Sequence, residues 1–180
     1  SIARAAHATV VAECARLDRK YSHYRDDSLV ARIANAPTGI EVDDETANLI
    51  DFAAALHAQS GGLFDITAGT LTRLWDARDG RLPDKTEVAA ALAATGWDRV
   101  QWRRPLLRLG DPGMRLDLGG IVKEYAADRC AQACRDAGVD SGVVDLGGDL
   151  ALIGPHRERL PWIVGIKAPR APGRSAAHIE

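Results

Sequence analysis

The segment from Asp117 to Lys123 holds the residue types best suited to bind a phosphate group. After the acidic residue come one leucine and the pair Gly119-Gly120, and a predicted helix then carries the lysine in its first turn. Glycines let the backbone approach a ligand closely. A helix start adds unpaired N–H groups and the positive end of a dipole. The segment is therefore typical of a site for a phosphate-bearing cofactor.

A purely structural interpretation of the same segment stays open. A glycine pair before a helix also serves as a bend, Asp117 can cap the helix, and Lys123 can be an ordinary surface lysine. The string Asp-Leu-Gly-Gly occurs again at 145–148. There, apolar flanks and the lack of a following helix predict a bend or bulge within or between strands. One carboxylate is too little for Mg²⁺, which prefers about six oxygen ligands.

Other catalytic chemistry finds little support in the chain. The five histidines show no zinc-ligand spacing, and no Gly-x-Ser-x-Gly motif indicates acyl transfer. The three cysteines, Cys14, Cys130 and Cys134, cannot all pair within the chain. Because the last two lie four residues apart on a predicted helix, we expect small buried core residues and not a metal or redox pair.

The balance of charge limits the classes of partner. The 180 residues carry a net charge of −2, from 23 basic and 25 acidic side chains in mixed order. This argues against nucleic acid or an anionic membrane as the main partner, since either needs a basic face. No apolar run approaches the roughly 20 residues of a membrane span. The length fits one domain, which we predict over residues 1–180.

The elements that must position these residues can be predicted from apolar spacing and turn signals. Four helices are predicted, over about residues 3–19, 45–60, 85–94 and 121–137. Asp44 is expected to cap the second, and Asp84 with Glu87 to form a capping box at the third. Short apolar runs separated by Pro or Gly predict strands at 100–102, 106–109, 114–116, 142–153 and 162–166, the last two buried. This irregular mixture predicts an α+β fold, with a mixed, largely antiparallel sheet packed with helices.

Five short motifs follow one another over about residues 10–170. They are Ser22-x-Tyr24-x-x-x-Ser28, Gly62-x-Phe64-Asp65-Ile66-Thr67-x-Gly69-x-Leu71-x-x-Leu74-Trp75, Leu116-Asp-Leu-Gly-Gly-Ile-Val-Lys123-x-Tyr125-Ala-x-Asp128, Val144-Asp-Leu-Gly-Gly-Asp149 and Trp162-x-Val-Gly-Ile-x-x-Pro169. In this order they resemble the flavin transferases of the FAD:protein FMN transferase, or ApbE-like, family. The resemblance implies an ApbE-like, T-fold-like architecture. We expect the chain to lack that family's first strand and its C-terminal part.

The resemblance implies an enzyme that cleaves FAD with Mg²⁺, transfers the FMN moiety to a threonine hydroxyl of an acceptor flavoprotein and releases AMP. It assigns no catalytic side chain in these 180 residues. The cofactor-binding residues that it implies are Tyr24 at the flavin, Leu63, Phe64 and Asp65 along the cofactor pocket, and Asp117 with Lys123 on FAD. One Mg²⁺ ligand is implied, the main-chain carbonyl of Gly120.

The chain also departs from the family pattern. Glu124 stands where family members usually have glycine, and it adds a negative charge beside the pyrophosphate. A Ser-Gly-Asp strand, a histidine-containing stretch and an Asp and Thr pair of metal ligands are expected beyond residue 180. Two interpretations stay open: a piece of a longer FMN transferase, or a non-catalytic FAD-binding relative or fragment. The resemblance suggests a periplasmic or membrane-anchored location, whereas unpaired cysteines favour the cytoplasm, so the compartment stays unknown.

Overall fold

The structure is a computed structural model that describes residues 2–75, 80–156, 158, 160–171 and 173–179. The chain divides into two compact units. One is Cys14–Tyr125, and the other combines Ser1–Glu13 with Ala126–Glu180. All the residues predicted to bind the cofactor belong to the first unit. The single domain over 1–180 stays a prediction.

The described part of the chain contains six α-helices. They are α1 (Ile2–Tyr21), α2 (Leu29–Ala34), α3 (Asp44–Gln59), α4 (Gly69–Thr72), α5 (Lys85–Ala93) and α6 (Gly119–Asp136). The capping box of α5 is confirmed, because Asp84 accepts the N–H of Glu87 at 2.8 Å and the glutamate side chain accepts the N–H of Asp84. The cap predicted for α3 is one residue off. Asp43, and not Asp44, accepts the N–H of Thr46 at 2.9 Å, since Asp44 already lies in the first turn.

The strands are short and pair antiparallel. In the part that the structure describes they are β1 (Ile40–Glu41), β2 (Gln101–Arg103), β3 (Leu106–Arg108), β4 (Gly142–Asp145), β5 (Leu150–Ile153), β6 (Val164–Lys167) and β7 (Ser175–Ile179). The first three form one sheet in the order β1-β3-β2, while β4 pairs with β5 and β6 with β7. Helices combined with antiparallel pairs confirm the predicted α+β class.

Three of the predicted strands differ from the structure. The segment 142–153 forms two strands, β4 and β5, whose residues alternate between buried and exposed and are not all buried as predicted. Residues 114–116 form no strand and make only an isolated parallel bridge, from Arg115 to Ala68. Met114 and Leu116 are fully buried, so the apolar alternation is real, but the segment runs against the turn at Gly69 instead of along another strand. The strand predicted at 162–166 begins at Val164 and is largely exposed. Its partner β7 has no apolar alternation and was not predicted.

The helix predicted from residue 121 begins earlier, at Gly119, and no strand precedes it. The Oδ1 atom of Asp117 accepts the N–H of Gly119 at 2.8 Å, which satisfies one of the donors that a helix start leaves unpaired. The two glycines therefore form the first turn of α6, and they do not precede the helix as a bend. Their N–H groups therefore lie at the N-terminal end of α6, which attracts anions.

The core of the unit Cys14–Tyr125 is built from fully buried aliphatic side chains. They include Leu17, Ile33, Ile50, Leu107, Leu116 and Leu118. In the other unit Cys130 and Cys134 are buried, as predicted. None of the described helices combines the length and the apolar character that crossing a membrane requires.

Candidate functional site

The first turn of α6 places a carboxylate beside an unpaired backbone N–H group. The Oδ1 atom of Asp117 accepts the Gly119 N–H. Gly120 is exposed, and among the described residues its N–H has no hydrogen-bond partner. An N–H at this position, together with the helix dipole, is suited to bind an anion such as phosphate.

The loop between α3 and α4 is held by the side chain of Asp65. One carboxylate oxygen accepts the N–H and the hydroxyl of Thr67, at 2.8 and 2.6 Å. The other accepts the N–H of Trp97 at 3.0 Å, and the Thr67 hydroxyl accepts the N–H of Gly96 at 2.8 Å. Both oxygens of Asp65 are thus engaged by the chain itself. This gives Asp65 a role in shaping the loop.

The backbone of Phe64 is fixed from two sides in the same loop. Its N–H donates to the hydroxyl oxygen of Ser60 at 2.9 Å, and its carbonyl accepts from Nδ1 of His57 at 2.9 Å. A carbonyl can only accept, so this nitrogen of His57 carries the proton. The Phe64 ring reaches α6, where a Cβ atom added to Gly120 would lie 3.2 Å from it. An alanine at this position would require the ring to shift by a few tenths of an ångström.

The loop before α2 reaches the same place through His23. The Nδ1 atom of His23 lies 3.4 Å from Oδ1 of Asp117, and its ring centroid lies 3.9 Å from that of Tyr24. The Tyr24 side chain itself is 66% exposed. In the described part of the chain, Nε2 of His23 is buried without a hydrogen-bond partner.

Most of the predicted site residues are thereby joined. Contacts lead from Tyr24 through His23 to Asp117, and from Gly120 to Phe64. A backbone hydrogen bond connects the two groups. The N–H of Asp117 donates to the carbonyl of Ile66, the residue after Asp65, at 2.7 Å.

The remaining two predicted residues lie at the margin of this group. Leu63 precedes Phe64 in the loop and is 92% exposed. Lys123 lies one turn along α6 from Gly120, with an exposed side chain. The roles predicted for all these residues toward a cofactor stay predictions.

Sequence reasoning did not identify His23 or the residues that anchor the loop around Asp65. The histidine stands inside the first motif, but a single histidine without ligand spacing gives no signal. Ser60, His57 and Gly96 lie outside the motif cores, and only their contacts reveal them.

Tyr125, which belongs to the third motif, is used to hold α6 in place. Its hydroxyl donates to the carboxylate of Glu45 at 2.9 Å, and Arg16 and Lys20 also donate to that carboxylate at 2.6–2.8 Å. The hydrogen bonds from Arg16 hold the pKa of Glu45 far below its usual range. Partial burial acts in the opposite direction, whereas hydrogen bonds from Lys20 and Tyr125 lower the pKa further. This cluster joins α1, α3 and the start of α6 by charge-assisted hydrogen bonds.

The residues at this site fit a phosphate-bearing nucleotide better than they fit a metal ion. The unpaired Gly120 N–H and the exposed Lys123 ammonium suit a pyrophosphate. In contrast, the described residues contain no group of three or more His, Cys, Asp or Glu side chains that could hold a metal. These residues therefore do not form a Mg²⁺ site by themselves, and the ligand role of the Gly120 carbonyl stays a prediction.

The fold is shared with solved structures of ApbE proteins. The ApbE protein from Thermotoga maritima has a TM-score of 0.88 at 33% identity, covering 98% of this chain and 59% of that one. The flavin transferase ApbE from Vibrio cholerae has a TM-score of 0.83 at 26% identity, covering 92% of this chain and 56% of that one.

The chain belongs to the ApbE family, whose model matches residues 1–180. Among curated relatives, the FAD:protein FMN transferase of Treponema pallidum is 32% identical over 173 residues, covering 85% of this chain and 48% of that protein. The FAD:protein FMN transferase of Vibrio cholerae is 30% identical over 165 residues, covering 88% and 49%. The chain thus spans about half the length of these curated relatives.

Proposed function

We propose that the whole protein is a Mg²⁺-dependent FMN transferase. FAD is the donor, the acceptor is a threonine hydroxyl on a partner flavoprotein, and AMP is released. The relatives named FAD:protein FMN transferase support flavin transfer. Mg²⁺, the threonine and AMP come from the resemblance of the five motifs.

The observation that carries the proposal is the start of α6. There Asp117, the unpaired Gly120 N–H and Lys123 lie within two turns of one helix end. The helix dipole and the ammonium group favour the charge that develops on a pyrophosphate as it is cleaved. In the proposed roles Asp117 and Lys123 hold FAD, and Tyr24 lies at the flavin.

The loop that carries Leu63, Phe64 and Asp65 would line the cofactor pocket. Its backbone is held at Phe64 by hydrogen bonds with Ser60 and His57, and the Asp65 side chain accepts the N–H of Trp97. Such a loop is formed before the ligand arrives, which lowers the cost of ordering it on binding.

The direct test incubates the whole protein with FAD, Mg²⁺ and an acceptor protein that carries the threonine. We expect FMN attached to the acceptor, detected by mass spectrometry, and an equal amount of AMP. The matched control is an acceptor with Thr→Val, which keeps the side-chain shape and removes the hydroxyl.

Three outcomes separate the functions. FMN transfer lost with the Thr→Val acceptor and with a metal chelator supports the proposal. FAD binding without AMP release favours a non-catalytic FAD-binding protein. No FAD binding by the whole protein would rule out both functions.

A further inference from the structure

The imidazole of His23 lies between two site residues that come from different segments of the chain. Nδ1 is 3.4 Å from Oδ1 of Asp117, and the ring lies against Tyr24. A carboxylate can only accept hydrogen bonds, so this contact is favourable when Nδ1 carries a proton. We infer that His23 is a positioning residue that orients the Asp117 carboxylate and supports the Tyr24 ring. This inference rests on the proposed function, in which both neighbours bind FAD.

Two nitrogen atoms approach the same oxygen of Asp117. The Gly119 N–H lies 2.8 Å from Oδ1, and His23 approaches the same atom. Oδ2 has no hydrogen-bond partner among the residues that the structure describes, so it is left for a ligand. The His23 contact is long, and such contacts in ligand-free sites often shorten once the ligand is bound.

Stability alone does not account for a histidine at this position. A buried polar atom without a partner destabilises the folded state, and Nε2 of His23 is such an atom among the described residues. A phenylalanine would offer a similar ring to Tyr24 without that cost. Buried polar atoms without hydrogen-bond partners are expected mainly at functional sites. The nitrogen that has a use is Nδ1, which faces Asp117.

Two variants separate the ring of His23 from its donor. His23→Phe keeps an aromatic ring and removes both nitrogens, whereas His23→Asn keeps an N–H donor at about the reach of Nδ1. We expect the Phe variant to melt at the same or a higher temperature and yet to bind FAD about 5–10-fold more weakly, because the Asp117 carboxylate is no longer held in one orientation. The Asn variant should recover most of the affinity.

A double-mutant cycle tests whether His23 acts through Asp117. Dissociation constants for FAD are measured by flavin fluorescence for the wild type, His23→Phe, Asp117→Ala and the double variant. If His23 positions the carboxylate, His23→Phe causes no further loss once Asp117 is alanine. An equal loss in both backgrounds, or no loss in either, overturns the inference.

A measurement without ligand keeps the inference separate from the proposed function. Nitrogen NMR of the imidazole in the whole protein should show the Nδ1–H tautomer of His23, and Asp117→Ala should abolish that preference. An Nε2–H tautomer in the wild type overturns the positioning role whether or not FAD binds. Failure of the wild type to bind FAD, with the Nδ1–H tautomer present, overturns the proposed function and leaves the pairing of His23 with Asp117 standing.

Discussion

Tyr125 donates a hydrogen bond of 2.9 Å to Glu45, which lies eighty residues earlier in the sequence. Removing only this hydroxyl with Tyr125→Phe should lower the free energy of unfolding by about 1 kcal/mol, because three other donor groups still satisfy the carboxylate. Urea denaturation of the whole protein measures this. In a Glu45→Gln background the same change should cost clearly less, and an equal cost would show that the two side chains are not coupled.

Acid should weaken the same cluster. The pKa of Glu45 is depressed in the folded state, above all by Arg16, so its contribution to stability is complete above the ordinary value of 4.5 and is lost as the pH falls below it. The free energy of unfolding should therefore drop steeply in acid, and Glu45→Gln should flatten that drop. Denaturation curves from neutral pH into the acid range check this. Parallel curves for both proteins would contradict it.

Gly69→Ala should destabilise the unit Cys14–Tyr125 by about 2–3 kcal/mol, as overpacking does. A Cβ atom there would lie 2.6 Å from the carbonyl carbon of Leu116, and backbone cannot move aside cheaply. Gly142→Ala is the matched control, since its Cβ would lie 3.7 Å from Ile153, an ordinary contact. Thermal melts of the two variants should differ clearly, and equal melting temperatures would refute the close approach at Gly69.

Asp117→Ala should weaken FAD binding and leave the fold intact, because among the described residues its side chain contacts only the Gly119 N–H and His23. Affinity is measured by flavin fluorescence, and folding by circular dichroism. An unfolded variant would instead favour a role as a helix cap. Lys123→Ala is its counterpart for the phosphates. It should weaken AMP as a competitor more than riboflavin, and an equal effect on both would argue against a phosphate contact.

Glu124→Gln should tighten FAD binding about two- to threefold at low salt, since it removes a negative charge from the first turns of α6. The gain should fade as salt screens the interaction. Asp136→Asn removes the same charge at the far end of α6 and should leave the affinity unchanged. Titrations at two ionic strengths test this, and a gain that persists in high salt would point to a cause other than charge.

Much of the fold follows from local signals. The capping box at Asp84 and Glu87 and the buried cysteines of α6 depend on residues a few positions apart, so the sequence predicts them. The segment 114–116 was wrongly predicted as a strand. Its alternate residues are buried without a neighbouring strand, because the start of α4 at Gly69 packs against it.

The site was predictable only where its residues stand together in a motif. The motifs contain Asp117 and Phe64, but they do not indicate which residues contact these two side chains. His23 meets Asp117, and Asp65 meets Trp97, only through long-range folding. No spacing in the sequence encodes such contacts.

The close approach at Gly69, the first residue of α4, affects how the site responds to substitutions nearby. Around it, backbone meets backbone: Gly69 touches Leu116, Ala68 bridges to Arg115, and the N–H of Asp117 reaches the carbonyl of residue 66. At these three points the described backbone segments meet directly, so the spacing between the Asp65 loop and the start of α6 depends little on the volume of core side chains. Substitutions in the surrounding core can alter stability while the distance between the two halves of the cofactor site stays constant.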